Sequence, residues 1–144
     1  MKLIAGVDEV GRGSLIGPVY AAAVILNKSI KKKLLKDSKS LSKNKREFLA
    51  KYIKKNSVWA VGKASVKEIE KMNILQASLL AMKRSIIKLK KKPKLVLIDG
   101  NKIPEIKNYK LKSIIKGDQK IASISAASII AKVSRDKMIS TLGK

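Results

Sequence analysis

The chain has 144 residues, 45% of them hydrophobic, which is enough for one globular domain with a buried core. It contains no cysteine and no histidine, which excludes disulfides, thiolate zinc sites, cysteine nucleophiles and serine–histidine triads. The 34 Lys and Arg residues against ten Asp and Glu give a formal net charge of +24. A charge this large favours a polyanionic partner, nucleic acid before an anionic membrane.

The basic residues also have a simpler interpretation. Thirty of the 34 are lysines, and a bias of this kind can come from genome composition and cover a solvated surface. We assign most individual lysines to that surface and only the overall field to a partner. No segment approaches the roughly 20 apolar residues of a membrane span, and the N-terminus does not have the pattern of a signal peptide. We therefore expect a cytoplasmic protein without membrane contact.

The first half of the chain predicts two strands, a helix and a third strand. Residues 2–8 and 19–26 are apolar runs that we expect to pair in antiparallel fashion. Ser42 is typical of an N-cap and opens a helix to about residue 55. We expect this helix to have one apolar face, formed by Phe48, Leu49, Tyr52 and Ile53. A strand is predicted to follow at residues 57–66.

The second half alternates helices with strands. Asn73 is expected to cap a helix that runs to about residue 89. The continuous apolar run at residues 94–99 indicates a strand in the centre of a sheet. The other predicted elements are a short helix at 66–72, a strand at 110–115 and a long helix at 121–142 whose first half is small and apolar.

Two of the ten acidic residues stand side by side at Asp8 and Glu9, after an apolar segment and before a glycine turn. Neighbouring carboxylates repel each other and lose hydration on burial, so a chain this basic has little structural reason to pair them. A bound divalent cation is the simplest reason for the pair.

Two further acids occupy similar positions: Asp99 ends the cleanest apolar strand, and Asp118 stands at a polar break before the last helix. Taken singly, Asp99 is typical of a turn and Asp118 of a helix N-cap. Taken together with Asp8 and Glu9, they occupy element ends, where α/β proteins commonly build sites. Three or four converging carboxylates would hold Mg²⁺ or Mn²⁺, which prefer oxygen ligands.

Several segments along the whole chain resemble, in order, the motifs of the ribonuclease HII family. The matching segments are residues 8–19 (DEVGRGSLIGPV), 37–42 (DSKSLS), 73–77 (NILQA), 95–100 (LVLIDG), 116–118 (KGD) and 125–136 (SAASIIAKVSRD). The resemblance implies an RNase H-like fold of the α/β class, a mixed central sheet flanked by helices, as a single catalytic domain over residues 1–144.

The resemblance also implies a function. Members of the family are endonucleases that hydrolyse the RNA strand of RNA·DNA hybrids and cut at ribonucleotides embedded in DNA duplexes. We expect a two-metal mechanism with Mg²⁺ or Mn²⁺ that leaves 3′-hydroxyl and 5′-phosphate ends. By the family pattern Asp8, Glu9 and Asp99 hold metal directly, while Asp118 holds the second metal or orients water. We expect the protein to act as a monomer.

The family pattern also suggests residues that bind the substrate. Gly11, Arg12 and Gly13 match the loop that reads the ribose 2′-hydroxyl, the group that separates RNA from DNA. Without the flanking match, this loop would be an ordinary glycine turn with an exposed arginine. Further candidates for phosphate contacts are Lys39, Lys116, Lys132 and Arg135. Arg135 with Asp136 is equally typical of a surface pair on a helix, and residues 125–131 are more typical of packing than of chemistry.

The chain departs from the family pattern at its C-terminus. Family members continue with a helix and a glycine–tyrosine motif whose tyrosine packs on the RNA–DNA junction, whereas this chain stops at Lys144, and Tyr109 is not a match. We therefore expect a C-terminally short member, natural, truncated or a fragment, in which cleavage at single ribonucleotides suffers most. Two alternatives stay open: a hybrid-binding module that has lost catalysis, and a generic basic RNA-binding protein.

Overall fold

The computed structural model describes residues 3–12, 17–35 and 40–142, and in these ranges five strands form one mixed sheet. The strands are β1 (Ile4–Val10), β2 (Val19–Leu26), β3 (Ser57–Ala64), β4 (Leu95–Asp99) and β5 (Leu111–Ile114). Their order across the sheet is β3-β2-β1-β4-β5. β1 pairs antiparallel with β2, as predicted, and parallel with β4. The central strand is therefore the one that carries the acidic pair.

The helices cover both faces of this sheet. They are α1 (Lys43–Lys55), α2 (Val66–Met72), α3 (Ile74–Lys88), α4 (Gly117–Lys120) and α5 (Ala122–Leu142), and a 3₁₀ turn spans Lys32–Leu35. All the predicted helices are confirmed, and α4 is an additional short helix where the sequence suggested only a polar break. Within the part of the chain described, no helix has both the length and the apolar character needed to cross a bilayer.

Side chains alternate between the two faces of the sheet, so each strand contributes to two cores. On one face Val7 and Ile98 pack in a buried cluster with Ile86 of α3. On the other face Val24 joins a cluster that includes Ile130 of α5 and residues of α1. The sheet is therefore a middle layer between α3 on one side and α1 with α5 on the other.

Two predicted N-caps are confirmed. Ser42 accepts a hydrogen bond through its hydroxyl from the Lys45 N–H at 3.3 Å, and α1 begins at the next residue. Asn73 ends α2 and starts α3, and its side-chain oxygen accepts the Gln76 N–H at 2.9 Å. Asn73 has φ 84°, a left-handed conformation that asparagine tolerates better than most residues. It lets one residue serve both helix ends.

The predicted apolar face of α1 is wrong at Phe48, which is 67% exposed. The buried residues of this helix are Leu49, Ala50 and Ile53. Because successive residues turn by ~100° around a helix, a stripe centred between Leu49 and Ala50 leaves Phe48 on the solvent side. The apolar character of Phe48 suggested burial, and the geometry of the helix excluded it.

Two glycines inside strands let helices approach the sheet closely. A Cβ at Gly6 of β1 would collide with the backbone of Ser123 and Ile124 in α5, and a Cβ at Gly62 of β3 would collide with backbone atoms of α3. A glycine inside a strand pattern is a known sign of close backbone approach. Gly6 is two residues before Asp8, so this contact determines how α5 covers the acidic end of β1.

We predict that Gly6→Ala and Gly62→Ala each destabilise the protein by about 3 kcal/mol, because the added methyl group meets backbone that cannot rotate away. Urea denaturation followed by circular dichroism measures the change. Lys63→Ala, at an exposed position beside Gly62, is the control and should change the free energy of unfolding little. A loss below ~0.5 kcal/mol at both glycines would contradict the close packing.

Candidate active site

Two of the predicted site acids lie next to each other because β1 and β4 are parallel neighbours. Val7 is level with Ile98 in this pair, so one step further along the strands brings Asp8 level with Asp99. Val7 and Ile98 face α3, and alternation therefore directs Asp8 and Asp99 to the opposite face, on which α5 packs. The sheet thus places both carboxylates at the same edge and on the same face.

The third acid arrives on the short helix α4, which follows β5. Lys116 precedes α4 with φ 54° and ψ 38°, a left-handed conformation, and turns the chain back over β4. The backbone N–H of Asp118 then donates to Oδ1 of Asp99 at 3.2 Å. A Cβ at Gly117 would lie 2.6 Å from Cδ1 of Ile124, so the Ile124 side chain would have to shift to admit it. The suggestion that Asp118 is an N-cap is wrong, because Lys116 is the cap residue and α4 has no side-chain cap.

Asp8 is only 6% exposed and carries the strongest electrostatic signal of the site. Burial raises the pKa of Asp8 well above its ordinary value, and the carboxylates of Asp99, Glu9 and Asp118 raise it further. The opposing influence is the Glu9 backbone N–H, which donates to Oδ1 of Asp8 at 2.8 Å and lowers the pKa. The four predicted acids are therefore within electrostatic reach of one another.

Glu9 is less buried, with 15% of its side chain exposed. Burial raises the pKa of Glu9 to about 6, Arg12 lowers it and Asp99 raises it. The Arg12 guanidinium is 4.0 Å from the Glu9 carboxylate, at the limit of an ion pair. This single distant cation offsets only part of the cost of burying the carboxylate next to Asp99.

The four carboxylates lie near one another, but they do not converge on a common metal-binding position. Across the ranges that the structure describes, no three acidic side chains stand close enough to share one metal ion in their present orientation. Two of them are turned towards backbone donors: Asp8 accepts from Glu9, and Asp99 accepts from Asp118. Binding an ion through three of these carboxylates would therefore require their side chains to rotate. The backbone need not move, because β1 and β4 already place Asp8 and Asp99 at the same end and on the same face of the sheet.

The predicted substrate-binding residues fall into different settings. Gly11 and Arg12 directly follow β1, and Arg12 has 47% of its side chain exposed. Lys116 is exposed beside α4. Gly13 and Lys39 lie outside the described residues. Arg12 and Lys116 thus follow the ends of two different strands, β1 and β5, and both side chains are exposed.

The two candidates on α5 differ from each other. Lys132 is partly exposed and pairs with Asp136 at 3.1 Å. Arg135 is buried, with 6% exposure, and its Nε donates to the backbone oxygen of Pro18 at 3.2 Å. The alternative of an Arg135–Asp136 surface pair is wrong, because Arg135 is not on the surface and Asp136 pairs with Lys132 and Arg46.

The small apolar start of α5 is packing surface, as predicted. Ser125 is buried and its hydroxyl donates to the backbone oxygen of Leu35 at 2.6 Å. Sequence reasoning missed Gly6 and Gly117, which shape the site by lacking side chains. The signal was present in both cases, since a glycine interrupts an apolar strand at Gly6 and precedes a site acid at Gly117.

Comparison with known proteins identifies the relatives of the chain. The family model "Ribonuclease HII" matches residues 5–144. A protein from Pelagibacter ubique (strain HTCC1062) named "Ribonuclease HII" is 79% identical over 144 residues, which are 100% of this chain and 77% of that protein. The match therefore extends over nearly the whole chain and is not confined to one motif.

Solved structures show the same fold. The structure titled "PCNA:RNase HII complex from Archaeoglobus fulgidus" matches with a TM-score of 0.83 at 33% identity over 97% of this chain and 76% of the other. Bst-RNase HIII in complex with Mn²⁺ matches with a TM-score of 0.78 at 23% identity over 92% and 51%, a likeness of fold alone. The predicted RNase H-like α/β fold is confirmed.

We predict that Glu9 makes the stability of the metal-free protein depend on pH. Its pKa is about 6 in the folded protein against an ordinary 4.5, so the folded state prefers the protonated form. That preference stabilises the fold below pH 4.5 and is lost as the pH rises through about 6. In EDTA at pH 7.5, Glu9→Gln should therefore be more stable than wild type by about 2 kcal/mol.

The measurement is urea denaturation of both proteins between pH 4 and pH 7.5. The difference between them should shrink towards zero as the pH falls below 4.5. Glu70→Gln, on the exposed face of α2, is the matched control and should show no such trend. A difference in stability that stays constant with pH would mean that folding does not raise the pKa of Glu9.

Proposed function

Because this chain belongs to the ribonuclease HII family, it is an endonuclease of the ribonuclease H class that acts on the RNA strand of RNA·DNA hybrids, and we propose that Asp8, Glu9, Asp99 and Asp118 form its catalytic site. We further propose that it cuts DNA duplexes at embedded ribonucleotides. The products are a 3′-hydroxyl and a 5′-phosphate, since water adds to phosphorus and the P–O3′ bond breaks.

One observation carries the assignment of the site. Asp8 is buried level with Asp99 on adjacent parallel strands, and α4 places Asp118 against Asp99. Like charges concentrated in this way cost folding free energy, and structural packing alone gives no reason for them. Perturbed carboxylates at the end of a central strand are typical of functional sites.

The donor set fits a hard divalent cation. All four candidate ligands are carboxylates, and each acidic neighbour of Asp8 raises its pKa, so a cation would relieve the repulsion that the cluster contains. The structural relative Bst-RNase HIII was solved with Mn²⁺. We propose that Asp8, Glu9 and Asp99 bind Mg²⁺ or Mn²⁺ directly and that Asp118 binds a second ion or orients water. When bound, such ions activate water and stabilise the leaving oxygen.

The residues around the acids suit a nucleic-acid substrate. Arg12 lies 4.0 Å from Glu9 with an exposed guanidinium, and the exposed Lys116 precedes Asp118 by two residues in the chain. Gly11 has φ 109° and no side chain, so backbone groups at this turn can come close to a sugar. We propose that this turn contacts the ribose 2′-hydroxyl, which is present only in RNA. The net charge of +24 would draw the phosphate backbone to the molecule from a distance.

We predict that the protein cleaves an RNA·DNA hybrid in Mg²⁺ or Mn²⁺ and that EDTA abolishes the cleavage. Asp8→Asn keeps the shape of the side chain but removes its charge, and should lower kcat/KM at least about 1,000-fold. Labelled hybrid and a duplex with one ribonucleotide, resolved on a denaturing gel, give the rates and the ends of the products.

The same assay tests the alternatives. Glu70→Gln removes a carboxylate far from the site and should retain the wild-type rate. Salt-sensitive binding of the hybrid without cleavage by wild type would favour a binding module. Unchanged cleavage by Asp8→Asn would rule out the assigned site.

We predict that two substitutions of Lys116 separate its conformation from its charge. Lys116→Gly and Lys116→Ala both remove the ammonium group, so both should raise KM for the hybrid about 3- to 10-fold if this lysine binds phosphate. Only glycine relieves the left-handed backbone at φ 54°, so Lys116→Gly should be more stable than Lys116→Ala by about 1 kcal/mol.

Thermal denaturation and steady-state kinetics measure the two effects independently. Lys120→Ala, which removes an exposed lysine at the end of α4, controls for the general loss of positive charge. Equal KM values in all four proteins would show that Lys116 makes no phosphate contact.

A further inference from the structure

The buried Arg135 of α5 is packed against both described ends of the connection between β1 and β2. Its Nε donates to the Pro18 oxygen at 3.2 Å. On the other side, a Cβ placed on Gly11 would lie 2.7 Å from Nε and 3.2 Å from Cδ of Arg135. The two described ends of the connection, at Gly11 and Pro18, therefore both lie against one arginine side chain.

A second residue of α5 supports the same connection without charge. A Cβ on Gly17 would lie 3.1 Å from the Cε of Met138. Arg135 and Met138 are three residues apart and so share one face of the helix. Gly11 and Gly17 both have positive φ, at 109° and 81°. The positive φ favours glycine at both positions, and the nearby side chains of Arg135 and Met138 would have to shift to admit a Cβ.

The position of Gly11 matters for the site because Gly11 follows Glu9 by two residues and precedes Arg12. Moving Gly11 would shift the end of β1, where Glu9 and Arg12 face each other at 4.0 Å. A helix residue that holds Gly11 therefore acts on the carboxylate cluster without touching it.

We propose that Arg135, together with Met138, is a positioning residue that holds the β1–β2 connection against α5 and so sets the alignment of Glu9 and Arg12 for cleavage. This replaces a direct phosphate contact by Arg135, since its side chain is buried and its Nε bonds to protein backbone. The proposal rests on the proposed function where it concerns cleavage, but its structural part can be tested without activity.

The first experiment compares Arg135→Met and Met138→Ala with wild type in cleavage and in binding. We expect kcat/KM on the hybrid to fall about 10- to 100-fold, mainly through kcat, because small displacements of reacting groups are costly. Binding of uncleaved hybrid in EDTA, measured against salt concentration, should keep the slope of wild type. Loss of a phosphate contact would instead lower that slope by about 1.

Met138→Ala makes this comparison decisive, because a thioether makes no ionic contact with phosphate. If it lowers kcat as Arg135→Met does, the shared cause is the connection. Lys137→Met, an exposed position on the same helix, is the matched control for loss of charge. A reduction of the salt slope for Arg135→Met that exceeds the one for Lys137→Met, or activity within 2-fold of wild type in both variants, would overturn the proposal.

The second experiment needs no activity. Arg12 is the exposed arginine of the connection, whereas the Arg84 guanidinium donates two hydrogen bonds of 2.7 Å to the Glu68 carboxylate. An arginine-specific protease should cut after Arg12 about 5-fold faster in both variants, with cleavage after Arg84 unchanged. Equal acceleration at both sites would indicate global destabilisation and overturn the proposal. If wild type fails to cleave hybrid, the proposed function fails while this result still decides the positioning.

Discussion

The first turn of α5 lies directly on β1 because position 6 has no side chain, and the geometry of the site depends on this contact. α4 joins α5 through the single residue Ile121, so α4 cannot move away from Asp99 while α5 is seated. The same seating brings Arg135 under the β1–β2 connection. The absence of a side chain at Gly6 thus determines the positions of α4 and of the described ends of the β1–β2 connection, which carry site residues. It also contributes to the burial of Asp8.

This packing makes the acidic cluster a local exception in a basic molecule. Burial and mutual repulsion raise the pKa of Asp8 and Glu9, and Arg12 offsets only part of the effect on Glu9. The cost is carried by the rest of the fold, whose two cores enclose the central strand from both sides. Functional sites commonly reduce stability in this way. In the function proposed above, the lysine-rich surface would attract a polyanion and the acidic centre would react with it.

Most of the fold could be predicted because local signals agreed with the final structure. Apolar runs gave the strands, and Ser42 and Asn73 marked helix starts within one residue. The grouping of Asp8 with Asp99 could be predicted because both residues stand at the ends of predicted apolar strands. What failed depended on long-range geometry: Phe48 is apolar yet faces solvent, and Arg135 was expected at the surface although α5 buries it. No local pattern shows which side of a helix its neighbours will cover.

The chain order of the site has a consequence for synthesis on the ribosome. Asp8 and Glu9 are made among the first residues, whereas α4 and α5 come after residue 116. The central strand gains its last partner layer only when α5 has emerged, and domains generally fold as units once their sequence is available. An incomplete chain would carry the basic residues that attract RNA but would lack the helix that assembles the carboxylates. The carboxylate cluster therefore assembles only after α5 has left the ribosome.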